Sequence, residues 1–213
     1  MNLKWNYWWF KSCFSDSFCD RIINYAKTLK EEQALTGGMD ADTQKYNEDD
    51  IRFVRKKRKS NITWISEDWL YRAIHPYIHE ANRNAGWNFQ WDWSEPCQFT
   101  KYGVGQYYGW HCDSYENPYD GSKDINWKGK IRKLSVTISL SDPKDYDGGN
   151  LEFDFRNTVD WETDKNNSIR EVGEIRPRGS IVVFPSFLWH RVKPVTRGTR
   201  YSLVLWNLGY PFK

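Results

Sequence analysis

Strict alternation of apolar and polar residues marks the second half of the chain. In the clearest case, the segment 134–140, Leu, Val or Ile takes each even position and Ser or Thr each odd one. The segments 151–155 and 200–206 alternate in the same way, and 180–184 is a short apolar run. A period of two is typical of strands with one buried face. Many short strands from Glu95 onward predict a β-sandwich or jelly roll, and turn signals separate them at Asp147-Gly148-Gly149, Arg178-Gly179 and Arg197-Gly198.

The first half of the chain shows the 3.6-residue spacing of amphipathic helices in two places. The first helix begins at Ser15 or Asp16, either of which can cap it. The second spans about 67–85, and Pro76 inside it predicts a kink or a break into two pieces. The Gly-rich, acidic stretch 36–50 between them predicts a long loop. We therefore expect a mainly β fold, with N-terminal helices that pack on one face of it.

One short segment carries the residue types of a metal site. In His111-Cys112-Asp113 the outer residues are two apart, so on a strand they share a face and can hold one cation. The chain has only four histidines, and we expect His75 and His79 to face solvent from the second helix. That leaves His190 as the third ligand. Two imidazoles and one carboxylate form the facial triad of non-haem Fe(II) oxygenases, although an HxD pair alone is also typical of a surface histidine beside an acid.

A basic residue that follows the third ligand in the sequence predicts a carboxylate-binding site beside the metal. Arg200 follows His190 by ten residues, and strand alternation places Ser202 on the same face as Arg200. A guanidinium grips a carboxylate in a bidentate manner, and a neighbouring hydroxyl can add a hydrogen bond. The pair therefore suits the distal carboxylate of 2-oxoglutarate. The alternative is a surface arginine at the start of a strand.

Composition and charge narrow the class of protein. Thirteen tryptophans among 213 residues suit a pocket lining, or a core built from large side chains. The net charge of +3 gives no strong case for nucleic acid or membrane binding. The basic run Arg52–Lys59 is interpreted as a solvated loop or edge strand, with an anionic partner as the alternative. No apolar stretch approaches the roughly 18–20 residues of a membrane helix, and the four cysteines lack a CxxC pair, so we expect a soluble cytoplasmic protein.

Several ordered motifs resemble one enzyme family. The segment Tyr102–Asp113 looks like the YxxGxxYxxHxD motif of prolyl 4-hydroxylase-like oxygenases, which depend on Fe(II) and 2-oxoglutarate. Gly148-Gly149-Asn150-Leu151 and the segment His190–Ser202 extend the likeness. The chain is similar in particular to the PKHD-type hydroxylases, over about residues 98–208.

The resemblance implies a fold and a site. The fold would be one domain, 1–213, in which 1–94 is a helical support region and 95–210 a double-stranded β-helix, cupin-like, with iron at one mouth. The cofactors would be Fe(II) and 2-oxoglutarate, with ascorbate as a further candidate. Tyr102 would add a hydroxyl near the cosubstrate or the iron, or else be a tyrosine at the edge of the core. The predicted metal and catalytic residues are His111, Asp113 and His190, and the predicted cofactor-binding residues are Arg200, Ser202 and Tyr102.

The implied activity is hydroxylation of a C–H bond. The favoured substrate is a prolyl or similar residue of a peptide or protein, and the alternative is a free amino acid or small metabolite. The second alternative is a jelly-roll binding protein without catalysis. Nucleic-acid repair fits poorly, because the related repair enzymes have an arginine where this chain has Trp206. Trp110, Trp189 and Trp206 could wall the substrate site, and the loop 114–130 could close over it.

Overall fold

The alternating segments form strands of two larger sheets and one small one. The structure, a computed structural model, describes residues 3–34, 56–114, 117–155 and 168–212. Its strands are β1 (Trp8–Phe10), β2 (Glu32–Gln33), β3 (Arg58–Lys59), β4 (Asn61–Ile65), β5 (Trp93–Ser94), β6 (Cys97–Tyr102), β7 (Tyr107–His111), β8 (Ile131–Ser139), β9 (Tyr146–Gly148), β10 (Leu151–Asp154), β11 (Ile169–Glu171), β12 (Ile181–Pro185), β13 (Trp189–Val192), β14 (Val195–Gly198) and β15 (Arg200–Gly209).

The two larger sheets face each other across a mainly apolar layer. The large sheet has the order β1-β12-β8-β15-β6-β4-β2, with β5 paired to β15. The smaller sheet has the order β11-β10-β13-β7-β3, and β9 pairs with β14. Val182 and Phe184 of the large sheet share a buried cluster with Leu151, Phe153 and Val192 of the smaller one. This is the two-sheet arrangement of a jelly roll, as predicted.

Two helices cover the outer face of the large sheet. Helix α1 (Asp16–Ala26) begins after Ser15, whose hydroxyl accepts a hydrogen bond from the Phe18 amide. Helix α2 (Asp68–Asn84) continues through Pro76 as one element, without the predicted break. The apolar stripes of both helices form the main core with the outward residues of β8, β12 and β15. The predicted loop 36–50 lies outside the described residues, and a short 3-10 helix spans Gly173–Ile175.

The alternation in β8 separates two different environments. Leu134, Val136 and Ile138 pack into the core beneath the helices. Ser135, Thr137 and Ser139 point between the sheets, yet all three are also buried. A row of small polar side chains therefore lines the interior of the sandwich, where small residues leave room and hydroxyls can bind polar groups.

The predicted division at residue 95 stays a prediction. The described part of the first 94 residues contributes α1 and α2, and also strands β1 to β5 of the two larger sheets. No helix in the described ranges has the length and apolar character needed to cross a bilayer.

Candidate metal and cosubstrate site

Two neighbouring strands of the smaller sheet bring the predicted ligands together. His111 ends β7 and lies opposite His190 of β13, with their ring centroids 4.1 Å apart. The Asp113 amide donates a hydrogen bond to the Ser186 carbonyl, which turns the chain inward after β7. One carboxylate oxygen of Asp113 is 3.6 Å from His111 Nε2, and the other is 3.5 Å from His190 Nε2. The three side chains thus converge on one point between the sheets.

Backbone carbonyls fix the orientation of both imidazoles. His111 Nδ1 lies 2.7 Å from the Gly109 carbonyl, and His190 Nδ1 lies 2.9 Å from the Leu188 carbonyl. A carbonyl only accepts, so in each neutral ring Nδ1 carries the proton and Nε2 keeps its lone pair. Burial, together with the nearby His190, lowers the pKa of His111 to about 3. His111 therefore stays in the neutral form that metal binding requires.

The carboxylate is held in its ionised form. Burial alone would raise the pKa of Asp113, but His190, His111 and Arg132 outweigh burial and hold the pKa below its usual value. The Ser135 hydroxyl adds to this by donating to Asp113 Oδ2 at 2.7 Å. The Ser135 and Ser186 hydroxyl oxygens are 2.8 Å apart, so the residue that donates to the carboxylate is itself held by a hydrogen bond. Such hydrogen bonds orient metal ligands.

The donor set fits a divalent iron. The ligand atoms of His111, Asp113 and His190 lie within 4.8 Å of one another, and no other such group occurs in the described residues. Metal bonds of about 2 Å at right angles would place ligand atoms about 3 Å apart, and the Asp113 oxygens lie 3.6 and 3.5 Å from the two Nε2 atoms. Two imidazoles and one carboxylate on one side of the ion leave further coordination positions open.

The predicted cosubstrate residues border the same cavity as the candidate metal ligands. Arg200 is buried, and its Nη1 donates to the Ser202 hydroxyl at 3.3 Å. The Tyr102 ring lies below the guanidinium, 5.5 Å away, because Tyr102 is the cross-strand partner of Arg200. One cavity borders Arg200, Ser202 and Tyr102 as well as His111, Asp113 and His190. All six predicted site residues therefore face one space.

The Gly148-Gly149 turn lies against the Arg200 side chain and leaves space for it because it carries no Cβ. Gly149 has φ +62°, and a Cβ there would lie 2.8 Å from Arg200 Cδ and 3.0 Å from Val195 Cγ2. We expect Gly149→Ala to lower the free energy of unfolding by about 1–2 kcal/mol through its left-handed backbone. Because the new methyl group displaces Arg200, the 2-oxoglutarate concentration for half-maximal binding should rise roughly fivefold.

Gly173→Ala is the matched control for this prediction. Gly173 is exposed, and a Cβ there would meet no atom within 4 Å. Calorimetric titration of 2-oxoglutarate into both variants, together with thermal unfolding, makes the comparison. Unchanged 2-oxoglutarate affinity in Gly149→Ala would show that the new methyl group does not displace Arg200 from its binding position.

Arg58 is a cavity residue that the sequence did not reveal. Part of the predicted basic run does form an edge strand, since β3 lies at the edge of the smaller sheet. Arg58 is nevertheless only 4% exposed and borders the cavity, so the prediction of a solvated residue was wrong here. It lay in a run of like charges, and nothing in the sequence separated it from its exposed neighbours Lys57 and Lys59. Arg52 and Arg55 lie outside the described residues.

Trp206 is the tryptophan of the predicted wall that borders the cavity. Its indole Nε1 is buried and has no hydrogen-bond partner, which is unusual for a native polar group. Arg132 stacks on the indole at 4.0 Å and is paired through two hydrogen bonds with the buried Glu95. Trp110 stacks instead with Arg191, at 4.6 Å.

Two further predictions have mixed outcomes. His79 is exposed as expected, but His75 is half-buried, and its Nε2 shares a hydrogen bond of 3.0 Å with the Ser94 hydroxyl. In the loop 117–130, Trp127 packs on both Tyr119 and Trp93. Its role as a lid stays a prediction.

Comparisons with known proteins agree with this geometry. Residues 97–207 match the family model of the 2OG-Fe(II) oxygenase superfamily. A PKHD-type hydroxylase of Thermosynechococcus vestitus is 36% identical over 185 residues, which cover 85% of this chain and 62% of the relative. One from Xanthomonas campestris pv. campestris (strain B100) is 32% identical over 114 residues, which cover 52% of this chain and 42% of the relative. The chain thus spans less than two thirds of the length of these relatives.

Solved structures share the fold at low sequence identity. The viral collagen prolyl hydroxylase of Paramecium Bursaria Chlorella virus-1, in its 2OG complex, has a TM-score of 0.62 and 19% identity, with 97% of each chain covered. A Pseudomonas putida prolyl-4-hydroxylase has a TM-score of 0.61 and 18% identity, covering 96% of this chain and 92% of that one. The predicted double-stranded β-helix is confirmed by this likeness.

Proposed function

The chain belongs to the 2OG-Fe(II) oxygenase superfamily, and from that premise we propose that it is an Fe(II)- and 2-oxoglutarate-dependent hydroxylase of a C–H bond. One observation carries the proposal: the His111, Asp113 and His190 ligand atoms and the buried Arg200 border a single cavity. No carboxylate in the described residues pairs with Arg200, so its charge is available to an anionic cosubstrate.

Each cofactor has residues that suit it. His111, Asp113 and His190 would hold the iron, and Arg200 with Ser202 would hold the distal carboxylate of 2-oxoglutarate. Together the bound cofactors supply dioxygen activation, in which one oxygen atom goes into succinate while CO2 is released, and the other enters the substrate C–H bond as a hydroxyl.

The chain's own residues prepare this reaction in three ways. The Nδ1–H groups of His111 and His190 point at carbonyls, so neither ligand has to reorient before it binds metal. The Ser135 hydroxyl donates a hydrogen bond to the Asp113 carboxylate and holds it in place. Phe184 packs edge-on against His190 at 4.8 Å and helps to exclude water behind the site. Tyr102 is proposed to contact the cosubstrate from β6.

We infer that the substrate is a prolyl or similar residue of a peptide or protein. Trp64 is 43% exposed, and its ring lies 6.3 Å from that of Trp206 at the cavity. An exposed tryptophan beside one that borders the cavity suits the packing of a proline ring or a peptide plane. A Trichoplax adhaerens prolyl hydroxylase that shares the fold, with a TM-score of 0.63, was solved in complex with a peptide fragment.

A free amino acid or small metabolite is the second candidate substrate. It is favoured by the buried cation of Arg58 on the same cavity, since a free amino acid always carries a carboxylate. Ascorbate as a further cofactor stays a prediction.

The reaction class can be tested without the physiological substrate. We expect aerobic protein with Fe(II) to convert 2-oxoglutarate slowly to succinate, because the open coordination positions allow turnover uncoupled from hydroxylation. Succinate is quantified by mass spectrometry, with Asp113→Ala as the control. Binding of 2-oxoglutarate without any succinate, even after addition of proline-containing peptides, would instead support the jelly-roll binding protein.

A further inference from the structure

We propose that Arg58 binds a carboxylate carried by the substrate. The inference rests on the proposed function and deepens it, because it names a charged group that the substrate must present beside its reacting carbon. The carboxylate could belong to a free amino acid or to an acidic residue of a peptide. Both sources offer the same chemistry to a guanidinium.

Arg58 is a buried cation without a buried anion. Its Nε donates to the Ser60 hydroxyl at 2.9 Å and its Nη2 to Gln98 Oε1 at 2.6 Å. Both partners are neutral, and no carboxylate of the described chain forms an ion pair with it. The face of the Tyr108 ring, 4.4 Å away, offers only partial compensation. A buried charge in this state is costly unless a ligand neutralises it.

Other arginines near the site form ion pairs with carboxylates, unlike Arg58. Arg132 is neutralised by Glu95, and Arg191 by Glu152 at 2.7 Å. Among the described arginines, only Arg58 and Arg200 are buried. Neither has a carboxylate partner in the described chain, and both border the same cavity. Arg200 is already assigned to the cosubstrate, so Arg58 is the cation that remains.

The charges of the assembled site lead to the same conclusion. Fe(II) contributes two positive charges, which the two carboxylates of 2-oxoglutarate balance. Asp113 balances the positive charge of Arg200. Arg132 and Glu95 cancel each other across 2.5 Å. One positive charge, that of Arg58, is left on the cavity when metal and cosubstrate are bound, and an anionic substrate would complete the balance.

The position of Arg58 relates this anion to the reaction centre. Arg58 stacks on Tyr108, and the Tyr108 ring stacks in turn on His111 with centroids 3.5 Å apart. The guanidinium is therefore separated from a metal ligand by one aromatic ring. A carboxylate bound there would hold a neighbouring carbon of the same molecule near the metal, as orientation of a substrate requires.

Equilibrium binding tests the proposal independently of turnover. The protein is loaded anaerobically with Mn(II) and 2-oxoglutarate, and also studied without them, and four probes are titrated by calorimetry. L-proline is compared with L-prolinamide, and the blocked peptide acetyl-Gly-Asp-Pro-Asp-Gly-amide with its Asn-Pro-Asn counterpart. We expect at least one carboxylate probe to bind about tenfold or more tightly than its carboxamide counterpart. The pair that shows the preference identifies the source of the carboxylate.

Three variants separate a binding role from a structural one. In Arg58→Gln the preference should fall to within about twofold, whereas Arg58→Lys should keep part of it because the charge remains. Lys59→Gln makes the same charge change at an exposed neighbour and should behave as wild type. Thermal unfolding checks that each variant is folded, and Arg58→Lys still decides the question if Arg58→Gln is not.

The outcomes are distinguishable from those of the proposed function. Equal binding of the carboxylate and carboxamide probes, no binding of either carboxylate probe, or a preference that survives in Arg58→Gln overturns the Arg58 site, even if succinate is formed. A preference that depends on Arg58 in a protein that makes no succinate would keep the carboxylate site and overturn the hydroxylase.

Discussion

Replacing His190 with Ala should abolish succinate formation and lower Fe(II) affinity by more than about 100-fold. Loss of a partner that only supports a metal ligand already costs about 10- to 100-fold, and here a ligand itself is removed. His111 and Asp113 then provide only two donors, and the described residues form no other cluster of three metal-ligating side chains. Fe(II) binding is measured anaerobically, with 2-oxoglutarate absent and present.

His75→Ala is the matched control for this experiment. It removes another partly buried histidine, but one on α2 whose hydrogen bond goes to Ser94 and which does not border the cavity. We expect Fe(II) affinity and succinate formation to stay at the wild-type level in this variant. If His190→Ala bound Fe(II) as tightly as wild type, the third ligand would have to be sought elsewhere, and the proposed site would be wrong.

The sequence placed the candidate residues near one another because His111 and His190 lie on the paired strands β7 and β13, although Asp113 follows the end of β7 rather than lying on it. The two-residue spacing of His111 and Asp113 suggested a shared face, and the rarity of histidine left His190 as their partner. Arg200 and Ser202 followed from the same periodicity, and all of these residues border one cavity. A disordered sequence would have offered no such geometric constraint.

What the sequence could not show is what lies opposite a polar residue. Ser135 and Thr137 alternate with apolar neighbours as surface residues do, yet they are buried, because the smaller sheet covers that face. Arg58 was hidden in the same way by a run of charges. The protonation of His111 also depends on burial: a free imidazole would charge near pH 6.5, whereas its pKa is lowered to about 3. Metal loss through protonation of His111 should thus require stronger acid than its residue type suggests.

Replacing Arg200 with Ala should raise the 2-oxoglutarate requirement steeply while Fe(II) affinity stays nearly intact. Arg200 is 3% exposed, so its contact with a carboxylate would be made away from bulk water. Truncating one partner of such a pair costs about 2–5 kcal/mol. That corresponds to roughly 30- to several-thousand-fold in affinity. Arg200→Lys should recover part of the loss, because the charge survives but the planar fork does not.

Arg197→Ala is the control that isolates position from charge. Arg197 lies on β14, where it pairs with Asp147 at 2.6 Å, and both side chains are more than half exposed. An exposed pair contributes about 0–1 kcal/mol, so this variant should bind 2-oxoglutarate as wild type does. Calorimetric titration of 2-oxoglutarate into Mn(II)-loaded protein compares the variants directly. If Arg200→Ala bound 2-oxoglutarate as tightly as wild type, we would assign the distal carboxylate of 2-oxoglutarate to Arg58 instead. Arg58 would then not be free to bind a carboxylate of the substrate, and that proposal would fail. For both proposals to hold, the Arg200 variants must change the affinity for 2-oxoglutarate and the Arg58 variants the affinity for the substrate.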